Sequence, residues 1–230
     1  MNIKSHIPNS ITLLNLLSGV IGIIWVINGN ILSGAYFIII AAIFDFFDGF
    51  AARILNVQSE IGKQLDSLAD LVSFGVLPGM VLFQLCSVNS TIEWLPYFTL
   101  IVPLLSAVRL AKFNLDTRQS DQFIGLPTPA NSLLLSTLPF FAIKWPTIGT
   151  WLTSPFVLIL IAWVFSILLL TEIPLIALKF KSFDFSQNIY RYALLLIGLL
   201  LILSFGFAGI PLAILTYIGL SIIQNSLDKE

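Results

Sequence analysis

The chain has 230 residues, 57% of them hydrophobic and 10% charged, with a mean hydropathy of +0.98. A soluble domain carries about 25% charged residues, so this composition belongs to a polytopic membrane protein and excludes an ordinary water-soluble enzyme. The formal net charge of −1 leaves no broad basic surface, which excludes nucleic acid as the main partner, and the one cysteine, Cys86, cannot close an internal disulfide.

A helix that crosses a bilayer needs about 20 apolar residues. Eight helical stretches are predicted, near 9–28, 32–53, 66–87, 93–113, 129–145, 154–178, 189–206 and 209–225. Turn signals part them: Asn28-Gly29-Asn30, Ser87 to Ser90, Pro127 to Pro129, Pro146 to Pro155, and the Gly206/Gly209 pair. Because 129–145 and 209–225 are short, counts of six or seven spans also fit. The first stretch follows Lys4 as a secretory leader would, but it ends without a small-x-small cleavage site and a second apolar stretch follows at once. It is therefore expected to be a retained first span. No internal repeat, low-complexity tract or dividing linker is evident, so residues 1–230 are expected to form one membrane domain. The Asp228-Lys229-Glu230 end is expected to be a frayed tail.

Positive charges set the expected orientation. With the N-terminus inside, the inner loops carry Arg53, Lys63, Lys112, Arg118, Lys179, Lys181 and Arg191, while the outer side receives Glu93 and Lys144. This asymmetry follows the positive-inside rule and predicts both termini at the cytoplasmic face.

The informative segment runs from Asp45 to Asp70. It places Asp45, Asp48, Gly49, Ala52 and Arg53 on one stretch and Gly62, Asp66 and Asp70 on the next. A carboxylate at the centre of a membrane helix costs about 2.5–3.5 kcal/mol, so four within this segment require compensation. Asp45 and Asp48 are i, i+3 neighbours, and Gly62, Asp66 and Asp70 recur every four residues, so each set forms one helical stripe. Two antiparallel helices joined by a short loop can thus aim four carboxylates into one cavity. Oxygen ligands suit a hard divalent cation such as Mg²⁺, Mn²⁺ or Ca²⁺, and the single histidine, His6, is expected at the surface. An ion-pair network is the other reading, but Arg53 and Arg109 are the only nearby cations in the apolar segments. Gly49, Ala52 and Gly62 either allow a ligand to approach the backbone or simply let helices pack closely. Arg53 reads as a phosphate clamp or as an interfacial ion pair.

The full pattern, Asp-x2-Asp-Gly-x2-Ala-Arg-x8-Gly-x3-Asp-x3-Asp, resembles the signature of the CDP-alcohol phosphatidyltransferase family, with every fixed position matched. The resemblance implies an all-α polytopic fold and two divalent ions, Mg²⁺ or Mn²⁺, held by Asp45, Asp48, Asp66 and Asp70. It also implies Asp70 as the base that activates the acceptor alcohol, a CDP site lined by Gly49, Ala52, Arg53 and Gly62, and a homodimer. Three further stretches, Ile7 to Asn15, Arg109 to Asn114 and Gly125 to Ala130, are similar to the phosphatidylserine-synthase branch. That branch implies transfer of a phosphatidyl group from CDP-diacylglycerol to L-serine, with release of CMP, in a prokaryotic cytoplasmic membrane. Arg109, Lys112 and Asn114 become candidate acceptor-binding residues, against a plain reading as positive-inside anchors. Gly125 to Ala130 reads as a rigid loop over the site or as the start of a helix fixed by proline. Glu172, expected in the sixth span, has no assigned role. Rival readings are the same chemistry with glycerol-3-phosphate or inositol phosphate, and, from another class, a cation transporter.

Overall fold

The structure is a computed structural model describing residues 6–57, 59–116, 123–176, 184–185 and 188–227. Lys4, invoked above for the leader reading, Arg118, Lys179 and Lys181, invoked for orientation, and the 228–230 tail lie outside the described residues.

Among the described residues the chain runs along the bundle eight times. The helices are α1 (His6–Ile27), α2 (Ser33–Ile54), α3 (Glu60–Asp70), α4 (Leu77–Asn89), α5 (Ile101–Leu115), α6 (Thr128–Lys144), α7 (Pro146–Leu152), α8 (Pro155–Leu168), α9 (Ile189–Phe205) and α10 (Gly209–Leu227). A π-helical segment, Leu71–Val76, joins α3 to α4, so the third pass is one continuous helix from Glu60 to Asn89. Short 3₁₀ turns at Leu95–Leu100 and Gly206–Ala208 precede α5 and α10. Five stretches are long and apolar enough to cross a membrane, six with the α7/α8 pair, which is bent by 75°. One of the five, Ile189–Leu227, folds back at Gly206 into the α9/α10 hairpin: Gly209 abuts the Leu201 carbonyl, and a Cβ on Gly198 would lie 3.9 Å from Ala213. The 17 residues of α6 fall short of a full span. The all-α polytopic class is as expected.

Three boundaries differ from the sequence reading. The third helix begins at Glu60 rather than near 66, because Ser59 caps it by accepting the Gly62 N–H at 3.1 Å. The sixth pass ends at Leu168 rather than 178. There Pro174–Leu175 (β2) pairs antiparallel with Phe123–Ile124 (β1), and Leu169 and Leu175 turn inward on Leu126. Glu172 therefore lies beyond the helix end. The turn expected between Pro146 and Pro155 contains a helix of its own, α7.

In lipid the hydrophobic effect does little to draw apolar helices together, so close packing must do it. The first four helices show this. A Cβ on Gly22 would fall 2.7 Å from Leu77 and 2.8 Å from Phe37, and Gly34 leaves room only for Val81. Around these contacts Val26, Ile38, Ala41, Phe74, Leu77 and Val81 are fully buried. A second core joins α4, α5, α6 and α8 through Leu82, Val102, Leu135, Leu158 and Ala162. Element directions put the start of α1, the end of α2, the start of α3 and the end of α5 at one end of the bundle. Arg53, Lys63, Lys112 and Arg191 lie at that end, whereas Glu93 and Lys144 lie at the other.

Candidate active site

Asp45 and Asp48 project from the last turns of α2, and Asp66 and Asp70 from α3. The two helices lean on α1 more than on one another, so their acidic faces meet across a cleft rather than in a packed seam. One oxygen from each of Asp45, Asp48 and Asp66 lies within 4.8 Å of the others. Asp45 also interacts with both Asp66 and Asp70. Asp48 and Asp70 are buried, at 5% and 9% exposure.

Such crowding of like charge in a low-dielectric site is strongly unfavourable unless a cation offsets it. The two candidate cations are engaged with main-chain oxygens instead: Arg53 Nε donates to Gly49 O at 3.0 Å, and Arg109 Nη2 donates to Ile124 O at 3.0 Å. Asp48 Oδ2 is buried with no hydrogen-bond partner. A buried, unpartnered carboxylate oxygen among converging carboxylates is the donor set of a hard divalent cation, and the cluster fits one.

Beside the cluster opens a cavity of about 580 Å³, within the size range of small-molecule sites. Asp48, Gly49, Ala52 and Arg53 line it from α2, and Gly62, Lys63 and Asp66 from α3. Pro8, Asn9 and Thr12 of α1 close its third side. The glycines act differently here. A Cβ on Gly49 would find only Arg53 Nη2, at 4.0 Å, so a side chain there would fill open cavity. At Gly62 it would press on Ser59 Oγ at 3.1 Å and Asn9 Oδ1 at 3.2 Å, so that glycine lets α1 and α3 converge.

The structure brings together Asp45, Asp48, Asp66 and Asp70, and sets Gly49, Ala52, Arg53 and Gly62 around the adjoining cavity. Arg109, Lys112 and Asn114 are not among the residues lining it. Arg109 is buried at 5% exposure in α5 and lies 5.4 Å from the Phe113 ring. Lys112 is exposed. Asn114 Nδ2 donates to Ser67 Oγ at 2.8 Å, and its main-chain oxygen accepts from Lys63 Nζ at 2.9 Å, so the end of α5 is tied to the acidic helix. The Gly125 to Ala130 segment locks onto the end of α8: Gly125 N–H donates to Ile173 O and Leu126 N–H to Leu168 O. Gly125 has φ +75° and a Cβ there would meet the Thr171 and Leu169 carbonyls at 2.7 and 2.8 Å, so only glycine fits.

The sequence reading gave no site role to α1, which supplies Asn9 and Thr12 to the cavity and Asn15 to Asp70. The available signal was the run of polar residues Asn9, Ser10, Thr12 and Asn15 in an otherwise apolar helix.

Comparison with known proteins agrees with this geometry. Residues 5–173 match the CDP-alcohol phosphatidyltransferase family. The chain is 37% identical over 140 residues to the CDP-diacylglycerol–serine O-phosphatidyltransferase of Bacillus subtilis, covering 59% of this chain and 76% of that protein. It is 32% identical over 176 residues to the protein of that name from Mycobacterium leprae, covering 74% and 57%. It is 36% identical over 129 residues to that from Methanocaldococcus jannaschii, covering 56% and 58%. The chain thus spans about three quarters of the Bacillus relative but under two thirds of the other two. With the match running through the acidic cluster, the cavity and the loop at Gly125, the chain belongs to the CDP-alcohol phosphatidyltransferase family.

Proposed function

We propose that this protein transfers the phosphatidyl group of CDP-diacylglycerol to the hydroxyl of L-serine, giving phosphatidylserine and CMP. The observation that carries the proposal is the junction of the Asp45, Asp48 and Asp66 cluster with a cavity walled by Gly49, Ala52, Arg53 and Gly62. Relatives named for serine transfer support the choice of acceptor.

In this reading Asp45, Asp48, Asp66 and Asp70 hold two divalent ions, Mg²⁺ or Mn²⁺. When bound, these ions supply neutralisation of the diphosphate and of the charge that builds on the departing CMP. The cytidine diphosphate occupies the cavity, where the open wall at Gly49 and Ala52 admits it and Arg53 and Lys63 offer charged donors to its phosphates. The acyl chains remain in the bilayer. Asp70 accepts the serine hydroxyl proton as the serine oxygen bonds to the phosphorus attached to diacylglycerol. The phosphorus–oxygen bond to CMP breaks, and CMP leaves with the electron pair.

Arg109, Lys112 and Asn114 recognise the acceptor, with Asn114 closest to the acidic helix through Ser67. Arg109 is the natural partner of the serine carboxylate, since its Nε is buried with no hydrogen-bond partner. A phosphorylated acceptor would call for more cationic side chains than these. The active site faces the cytoplasm of a prokaryotic membrane, the protein is a homodimer, and residues 1–230 form one domain; cross-linking in native membranes checks the dimer.

The test is CMP release by the purified protein in detergent, with CDP-diacylglycerol and Mn²⁺ or Mg²⁺, offering L-serine, glycerol-3-phosphate, inositol phosphate or no acceptor. Turnover with serine alone, lost on chelation, is expected. Turnover with another alcohol would keep the family chemistry and overturn the acceptor. No CMP release under any condition would return the transporter reading to the front.

A further inference from the structure

Asp70 is held from behind by a residue that belongs to neither the three-carboxylate cluster nor the cavity lining. Asn15, fully buried in α1, donates its Nδ2–H to Asp70 Oδ1 at 3.1 Å. Asn15 is held in turn. Ser73 Oγ donates to the Asn15 main-chain oxygen at 2.9 Å. One helical turn further on, Gly19 brings α1 so close that a Cβ there would lie 2.5 Å from Ser73 Oγ and 2.9 Å from Ser73 Cα.

Asp70 is the last residue of α3 and Ser73 lies inside the π segment, so the helix is anchored to α1 where its hydrogen-bond ladder changes. The amide has one workable orientation. Turned over, Asn15 would set its Oδ1 against a carboxylate oxygen, and two acceptors would face each other without a proton. In the observed orientation its Oδ1 is buried with no partner, so no competing donor holds the side chain in place.

We propose that Asn15 is the positioning residue for Asp70, resting on the assignment of Asp70 as base and metal ligand. Its carboxamide pins Oδ1 and leaves the second carboxylate oxygen to the metal cluster and the acceptor hydroxyl. A neutral donor meets this need without adding charge. Aspartate there would add a fifth carboxylate, and leucine would match the shape with no donor.

The test compares wild type, Asn15→Leu, Asn15→Gln and Ser73→Ala in detergent. Each is assayed for CMP release and for bound Mn²⁺ by electron paramagnetic resonance. For Asn15→Leu, kcat is expected to fall about 10- to 100-fold, the usual cost of removing a residue that orients a metal ligand. KM for CDP-diacylglycerol stays near its wild-type value, and the spectrum of bound Mn²⁺ changes shape. Asn15→Gln, which keeps the carboxamide, recovers part of the turnover. Ser73→Ala shifts the same quantities in the same direction by less, and serves if the leucine variant fails to fold. An unchanged kcat with an unchanged Mn²⁺ spectrum overturns the proposal, as does a rise in KM that accounts for the whole loss. Wild type inactive with every acceptor overturns the transferase reading instead, and the Mn²⁺ spectra then still decide whether Asn15 orients Asp70.

Discussion

The first three helices and the last two are built to opposite rules. α1 to α3 bury Thr12, Asn15, Asp48 and Asp70, and their outer walls meet through glycines with no room for a methyl group. In α9 a single residue, Leu194, is buried, while Leu196, Leu199, Leu200 and Leu203 are all more than half exposed. The C-terminal hairpin leaves leucine exposed along α9 and is clipped to the bundle by aromatics at the far end, where Phe207 meets Tyr36 and Phe140 with ring centroids 5.0 and 4.9 Å apart. Where the helices carry charge, Gly19, Gly22 and Gly34 leave no room for a methyl group; along α9 the leucines lie at the surface.

This contrast breaks first at the carboxylates. Asp66→Asn removes one of the three converging oxygens, and chelator removes the ion; both should abolish CMP release, with Mn²⁺ restoring only the chelated wild type. Asp70→Asn should lower kcat by about 10²–10⁴-fold, the range for loss of a general base, with CDP-diacylglycerol binding retained. Undiminished turnover would remove Asp70 from the mechanism.

Smaller effects sharpen the comparison. Gly19→Ala forces a methyl into Ser73 and should cost about 1–3 kcal/mol, read as a lower melting temperature in detergent. Gly219→Ala is the matched control in α10, where a Cβ meets nothing within 4 Å; it should be neutral or stabilise by up to about 1 kcal/mol. Equal losses at the two glycines would erase the distinction between the regions. Leu203→Ala, 73% exposed, should change the melting behaviour by no more than about 0.5 kcal/mol.

The acidic cluster was legible because its spacing is local: i, i+3 on α2 and i, i+4 on α3 fix which side chains share a face whatever the rest of the chain does. The all-α polytopic class was legible for a similar reason, since long apolar runs mark helices wherever they pack; five or six of these stretches are long and apolar enough to cross a membrane. The start of α3 was not, because Glu60-Ile61-Gly62-Lys63-Gln64 is polar and a search for apolar runs passes over the Ser59 cap. The end of α8 was overrun because its stop comes from pairing with residues 123–124, some fifty positions earlier in the chain. Asn15 was missed on similar grounds. Its partner is 55 residues away, and nothing in either segment states the register between them. The two acidic helices do aim into one cavity, and α1, which the spacing argument left out, is their common support.

The π segment between Asp70 and Leu77 works as a phase adapter. Upstream of it the angular setting of the helix is dictated by chemistry, since Asp66 and Asp70 must face the cleft; downstream it is dictated by fit, since Leu77 and Val81 must meet Gly22 and Gly34. A regular α-helix turns about 100° per residue and imposes one setting on both halves. The wider turn releases that constraint, so the acidic half and the packing half of a single helix answer to separate demands.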